Sequence, residues 1–377
     1  MTLVAWIVAT AVGAIVAIWF GYPLVVRCVA ALVGSPCRPN YERARERAVT
    51  VVLATRERPQ AIVERVRNLL DSDHPADRLE VVVALDAEGA LSSPQQLNSI
   101  DPRVRVVASG GAGGKAAALN SGVLAASGEV LVLADTEQRF DRRTIPELVA
   151  SLEDSRFGAV SGALSLGAEN GARSPVHIYW AIEKWLRYNE SLIHSCIGVT
   201  GAVYATRTAL WPTIPIGTLL DDVYVPMSLV LSGHRVAFTY RARAVDLRTF
   251  DADAEGARKS RTLTGVMQLL QLLPDVMSRR NPVRLQFVLH KLARLATPAL
   301  ALLTVGASIM LLVLLLLRYP RQTVAPAAIT ACAVVMVPSL RRRALRAIRW
   351  GVTLQVATVR AIRNGVRGEW AVWQNSK

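Results

Sequence analysis

Residues 128–140 read Gly-Glu-Val-Leu-Val-Leu-Ala-Asp-Thr-Glu-Gln-Arg-Phe, and the rest of the chain is organised around them. Val130 to Leu133 is a continuous apolar run, the pattern of a strand covered on both faces. Asp135 and Glu137 follow where that strand would stop. Residues two apart in an extended segment point to one side. Two carboxylates so placed repel each other unless a cation lies between them. Hard oxygen ligands of this kind suit Mg²⁺ or Mn²⁺ carrying a substrate phosphate. The carboxyl end of a strand is also where open α/β sheets bind ligands. A solvated turn after a core strand would carry the same residues, so the neighbouring segments have to decide.

Upstream, Ala48 to Thr55 and Leu79 to Leu85 read as two more buried strands, the second ending at Asp86. Arg103 to Ala108 reads as a third, short one. Between them Gln60 to Asp71 has helical spacing, and Ala116 to Ala126 is a helix of small residues. Strands alternating with helices at this spacing predict βαβ units, an α/β fold with a mostly parallel sheet. The glycine-rich stretch Ser109 to Lys115 does not make a phosphate-cradling loop of the form G-x-x-x-x-G-K-[ST]. Ser109 stands where the first glycine belongs, and Ala116 where the metal-binding hydroxyl belongs. Either a glycine turn that presents Lys115 to a diphosphate or a flexible loop with a solvated lysine fits these residues.

Downstream, Phe157 to Leu166 is an apolar strand and Val176 to His194 is helical, with Trp180, Trp185 and Tyr188 along it as core or interface packing in the first place and a sugar-stacking platform as the alternative. Gly198 to Tyr204 is small and suits close approach by a substrate. Asp221 and Asp222 precede a helix. One carboxylate there can stabilise the helix N-terminus through its dipole. Adjacent carboxylates push their pKa values apart, which suits the other to taking a proton from a hydroxyl.

The chain carries 44 Lys and Arg against 29 Asp and Glu, a net charge of +15, with 52% hydrophobic residues and a mean hydropathy of +0.30. From Ser278 to Lys377 there are 16 basic residues and one acid, Glu369, so the first 277 residues are balanced. The positive charge lies beside the longest apolar run. That favours a membrane surface and disfavours nucleic acid, for which no reader motif is present. Cys28, Cys37, Cys196 and Cys332 form no C-x-x-C pair and complete no zinc set with the five histidines, which fits a reducing compartment.

A membrane span needs about 20 apolar residues. Leu3 to Val26 is uncharged and long enough, and residues 1–27 read as a retained signal-anchor. Arg27, Arg38, Arg43, Arg45 and Arg47 follow it, which puts the domain at 48–250 in the cytosol. Residues 251–296 read as amphipathic, interfacial helices. Pro298 to Leu317 and Thr323 to Leu340 predict a transmembrane hairpin over 297–340, and 341–377 is a basic amphipathic cytosolic tail.

In their order these motifs are similar to one family. The chain resembles the membrane-bound family 2 glycosyltransferases, inverting enzymes of GT-A fold that include the cellulose, chitin, hyaluronan and poly-N-acetylglucosamine synthases. The likeness runs from about Val49 to Leu273. V-T-V-V-L-A-T-R-E resembles the family's opening strand, which implies that Thr55 and Glu57 lie near the nucleoside. L-E-V-V-V-A-L-D implies that Asp86 contacts the base. G-G-K-A-A-A-L-N-S-G implicates Lys115, with Asn120 as a secondary position. A-D-T-E stands at the metal motif D-x-D, which implies Asp135 and Glu137 as ligands of Mg²⁺ or Mn²⁺. L-L-D-D stands at the T-E-D motif and implies Asp222 as the catalytic base. Arg258-Lys259-Ser260-Arg261-Thr262 stands at Q-x-x-R-W. It keeps Arg261, implied at the diphosphate, and replaces the acceptor-stacking Trp by Thr262, which argues against processive polymerisation. The implied activity is inverting transfer from a nucleotide-sugar, a UDP-sugar in the first place, to a lipid or glycan acceptor at the cytosolic face of a bacterial-type inner membrane. A degenerate, non-catalytic transferase domain serving as a membrane scaffold is the alternative.

Overall fold

The computed structural model describes residues 1–86, 97, 100–110, 113–167, 175–248, 252–320, 322–324 and 338–370. The chain divides into two compact units. One comprises Met1–Leu24, Phe250–Met267 and Val288–Lys377, and the other Val25–Thr249 with Gln268–Phe287.

The second unit is built on an eight-stranded sheet. Its strands are β1 (Val49–Thr55), β2 (Leu79–Leu85), β3 (Val104–Ala108), β4 (Val130–Ala134), β5 (Gln138–Phe140), β6 (Phe157–Leu166), β7 (Val203–Arg207) and β8 (Arg235–Asp246), in the spatial order β3-β2-β1-β4-β7-β6-β8-β5. Every residue of β1 and β4 is buried, as their unbroken apolar runs require for strands covered on both faces. The half made of β3, β2, β1 and β4 is parallel. β7 then enters antiparallel between β4 and β6, β6 pairs with β8 in parallel, and β5 caps β8 antiparallel. The sheet is therefore mixed, with the parallel pairings in the majority. β1, β2 and β6 match the expected strands closely. The sequence reading did not anticipate β7 or β8 as strands.

Register places the functional edge. Thr55 pairs with Leu85, and Leu53 with Ala134. Thr55, Asp86 and Asp135 therefore emerge at one edge, the carboxyl ends of three parallel strands. Ala134 pairs with Val203, so the chain just before β7, including Gly201, reaches the same edge from the opposite direction.

Two helical stretches among the described residues, Thr2–Val33 and Arg284–Arg318, each with most of its length in the first unit, are long and apolar enough to cross a membrane. They contain the expected spans Leu3–Val26 and Pro298–Leu317. Each is interrupted by a π-helical turn, Ala17–Gly21 in one and Val288–Leu292 in the other. The two meet near these turns. Trp19 Nε1 donates to Thr297 Oγ1 at 3.3 Å, the Arg294 guanidinium lies 4.7 Å from the Trp19 ring centre, and the Tyr22 and His290 rings are 6.2 Å apart. The basic segment 284–294 thus continues directly into the apolar helix, with Arg294 turned onto an aromatic face. Residues 325–337, most of the second expected span, lie outside the described residues, as do Gly111, Ala112 and 371–377.

Candidate active site

The acidic turn after β4 is held from behind. The helix Pro59–Leu70 buries Ile62, Val66 and Leu69, and Arg65 sits on the same stripe, fully buried. Its Nε donates to the Asp135 carbonyl at 2.9 Å, its Nη1 donates to Asn68 Oδ1, and its guanidinium lies 4.2 Å from the Phe140 ring centre. Asn68 brackets Phe140, donating to its carbonyl at 3.0 Å and accepting from its amide at 2.9 Å. Burial pushes the Arg65 pKa down to about 9, with Arg139 adding to the effect. From the front, Thr136 Oγ1 donates to Thr55 Oγ1 at 2.8 Å, and the same oxygen accepts the Glu57 amide at 3.0 Å. The turn after β1 and the turn after β4 are thereby tied together.

The glycine turn ends in a left-handed pair, Gly113 at φ 71° and Gly114 at φ 91°, which explains why glycines stand there. The Gly114 amide donates to Asp86 Oδ1 at 2.8 Å. Lys115 then opens the helix Lys115–Leu124 and its ammonium lies between two carboxylates, 3.0 Å from Asp135 Oδ1 and 3.6 Å from Asp221 Oδ2. Burial works against the Lys115 charge, but Asp135, Asp221 and Asp222 outweigh it and raise the lysine's pKa. The reading of a solvated lysine is thus set aside. Asn120 braces the loop ahead of Asp221: its Nδ2 donates to the Ile214 carbonyl at 2.8 Å and its Oδ1 accepts the Ile214 amide at 3.0 Å.

Asp221 and Asp222 open the helix Asp221–Leu231. Asp221 is buried, and that burial raises its pKa against the pull of Lys115, with Asp222 and Asp135 adding to the rise. Asp222 is the less buried of the two. Its carbonyl accepts the Val199 amide at 2.9 Å. Gly201 fills the space beside it: a Cβ there would stand 3.2 Å from Asp222 Cβ and 3.8 Å from Lys115 Nζ. The segment before Asp221 is held by Gln268, whose Oε1 accepts the Leu219 amide at 2.8 Å and whose Nε2 donates to the Gly217 carbonyl at 2.9 Å.

Glu137 points to a different cation. Its Oε1 accepts from Arg248 Nη1 at 2.9 Å, and Arg248 also grips Asp246 at 2.7 Å. Burial raises the Glu137 pKa; Arg248 opposes this, while Asp135, Glu57 and Asp246 reinforce it. Four carboxylates, Glu137, Asp135, Glu57 and Asp246, thus press on one another at this edge, with Lys115 paired to Asp135 and Arg248 to Glu137 and Asp246. Among the described residues no three His, Cys, Asp or Glu side chains form a metal cage. The donor set fits a hard divalent ion that keeps most of its ligands from phosphate oxygens and water, as Mg²⁺ and Mn²⁺ do at phosphate sites. Arg261 belongs to the first unit, on the helix Ala252–Leu272, and the side chains of Arg258 and Lys259 lie outside the described residues.

Residues 50–209 match the model of Glycosyl transferase family 2. A mannosyltransferase from Pyrobaculum calidifontis, solved in complex with GDP-mannose and Mn²⁺, superposes with a TM-score of 0.69 at 21% identity, covering 96% of this chain and 99% of that one. The fold is GT-A. GalNAc-T7, solved with UDP, GalNAc and Mn²⁺, is more distant, with a TM-score of 0.44 at 15% identity over 60% of this chain and 48% of that one. No curated protein matches the sequence.

In this GT-A domain several residues of the site had escaped the sequence reading. Arg65 left a signal, a charge on the apolar stripe of its helix. Gly201 sat inside a segment already noted as small. Arg248 and Gln268 left none, because nothing local to them marks a partner 111 or 49 residues away. Tyr204 is fully buried on β7, and its hydroxyl has no hydrogen-bond partner among the described residues. Burial, then Asp221, Asp222 and Asp135, hold its pKa well above the ordinary value.

Proposed function

We propose that this chain is an inverting, metal-dependent glycosyltransferase. It moves a sugar from a nucleoside-diphosphate sugar, a UDP-sugar in the first place, to a lipid or glycan hydroxyl at the cytosolic face of a bacterial-type inner membrane. The observation that carries the reading is the Lys115 ammonium held between Asp135 and Asp221, with Asp222 beside it and Gly201 leaving room next to both.

Thr55, Glu57 and Asp86 line the nucleoside end in this reading. Asp86 has a second task, since its bond to Gly114 sets where Lys115 starts its helix. Lys115 is a positive charge largely withdrawn from water and already held in place by two carboxylates, so it meets the leaving diphosphate with little reorganisation. Asp135 and Glu137 would hold Mg²⁺ or Mn²⁺, which when bound neutralises charge on the leaving diphosphate. Arg65 holds the Asp135 carbonyl and Asn68 the backbone of Phe140, so the turn that carries the two carboxylates is fixed at both ends. Asp221 is engaged with Lys115, which leaves Asp222 to take the proton from the acceptor hydroxyl. That hydroxyl attacks the anomeric carbon opposite the departing diphosphate, and a single displacement inverts the centre. The fold-neighbour solved with GDP-mannose supports a second donor class, a GDP-sugar.

The test uses membranes carrying the protein, incubated with UDP- and GDP-sugars, Mg²⁺ or Mn²⁺ and a lipid extract, with nucleotide release as readout. Release from one donor is expected, lowered by about 100-fold or more in Asp222→Asn, the usual scale for a lost general base. Thermal stability of the variant is measured alongside. A near wild-type rate in Asp222→Asn removes the base assignment. No release from any donor removes the transferase reading and leaves the membrane scaffold.

A further inference from the structure

The helix Pro338–Arg367 contains eight arginines and no acidic residue. One face is already taken. Ala357, Thr358, Ala361 and Gly365 are buried, and a Cβ on Gly365 would come 2.7 Å from Met267 Cβ, so small residues let this face pack against its own unit. The opposite face is exposed at the described side chains. Leu345, Ile348, Val352, Val356, Val359 and Val366 are 42–76% exposed. Their spacing of three, four, four, three and seven keeps them in one seam along the helix. Arg342, Arg349, Arg360 and Arg367, also exposed, run in a second seam beside it at spacings of seven, eleven and seven. Arg341 and Arg363 fall within the apolar seam.

An exposed apolar seam of six side chains over some six turns is unfavourable in water. An apolar seam flanked by arginines is the composition of a helix lying in a headgroup layer. There the valines reach the acyl boundary and the arginine stems extend to lipid phosphates. The absence of any acid in the helix selects the sign of the surface. The same unit holds most of two helical stretches long and apolar enough to cross a membrane, so a bilayer is the surface within reach.

We propose that the outward face of Pro338–Arg367 binds the anionic lipid phosphates of a membrane leaflet, apolar seam inward and arginine seam on the headgroups. This does not depend on the glycosyltransferase reading.

The test is amide hydrogen exchange of the full-length protein in lipid nanodiscs, comparing phosphatidylcholine alone with phosphatidylcholine containing phosphatidylglycerol. Peptides from 338–367 are expected to exchange about tenfold more slowly in the anionic discs, and the difference to shrink as salt is raised, because surface charges are screened. Peptides from β1 and β4 serve as the reference. Replacing Arg342, Arg349, Arg360 and Arg367 together by Gln should abolish the difference, whereas replacing all four by Lys should keep most of it. A thermal scan checks that both variants remain folded. Equal exchange in the two discs for the wild-type chain overturns the proposal. So does protection that appears only on adding an acidic protein or nucleic acid to neutral discs.

Discussion

Lys115→Met is the substitution that tests the site most directly, because it keeps the aliphatic stem and removes the charge that lies between Asp135 and Asp221. At an effective dielectric of about 20, an ion pair at 3.0 Å attracts by about 5.5 kcal/mol and one at 3.6 Å by about 4.6 kcal/mol. Most of that gross attraction is offset by desolvation. Side-chain exposures of 26% for Lys115 and Asp135 and 11% for Asp221 put the pair mostly out of water. Deleting one member of a buried pair costs about 3–5 kcal/mol, since the partner's charge is left uncompensated. Partial exposure places this one at the low end, about 3 kcal/mol. For a unit of this size that lowers the unfolding midpoint by roughly 6–12 °C. Thermal unfolding of the full-length protein in detergent at pH 8, followed by tryptophan fluorescence, measures it. Lys115→Met/Asp135→Asn should recover at least half of the loss, because the second change removes a charge that the first left stranded. The deficit should also close on acidification. The Asp221 carboxyl titrates above the usual range, so its protonated form favours the folded state. That contribution is complete below the unfolded-state pKa and is lost as pH rises through the folded one. Without Lys115 the folded value moves higher still, so the variant suffers most at neutral and alkaline pH and least in acid. A shift below 2 °C at pH 8, or a double variant less stable than Lys115→Met, would refute the argument that Lys115 neutralises this cluster.

Gly201→Ala should lower the rate of nucleotide release about tenfold with little change in donor KM, since its Cβ at 3.2 Å displaces Asp222 by a few tenths of an ångström; an unchanged rate would mean that Asp222 has slack. Arg65→Met keeps the contact with Phe140 but frees the Asp135 carbonyl, and should raise the Mn²⁺ concentration needed for half-activation at least tenfold, as loss of an outer brace does at metal sites. An identical metal titration would count against it. Tyr204→Phe removes a buried hydroxyl that has no partner among the described residues and should stabilise the protein by about 1 kcal/mol. Denaturant midpoints that fall would show that the hydroxyl is satisfied in solution.

Much of the parallel half of the sheet was legible because its signals are local. An unbroken run such as Val49–Leu53 or Val130–Leu133, too short for a helix and set between helical segments, reads as a strand buried on both sides, and the acid that follows it then falls at the sheet's edge. β8 was harder. Its apolar residues alternate with Arg241 and Arg243, one of its faces being exposed, and that reads as polar chain unless the two-residue period is followed through Ala242, Ala244 and Asp246.

The residue chemistry at the edge, Asp86, Lys115, Asp135, Glu137 and the Asp221–Asp222 pair, was determined by the sequence alone. Each stands next to a recognisable strand or helix boundary. Which of these charges would meet was decided only by tertiary structure. Lys115 binds Asp221 because β7 enters antiparallel beside β4 and brings Gly201 to the edge where Asp135 ends, leaving a glycine-sized gap for Asp222. Glu137 parts from Asp135 and turns to Arg248 because β5 pairs with β8, which ends at Asp246. Strand order and register depend on how the whole sheet closes, and no window of sequence contains that.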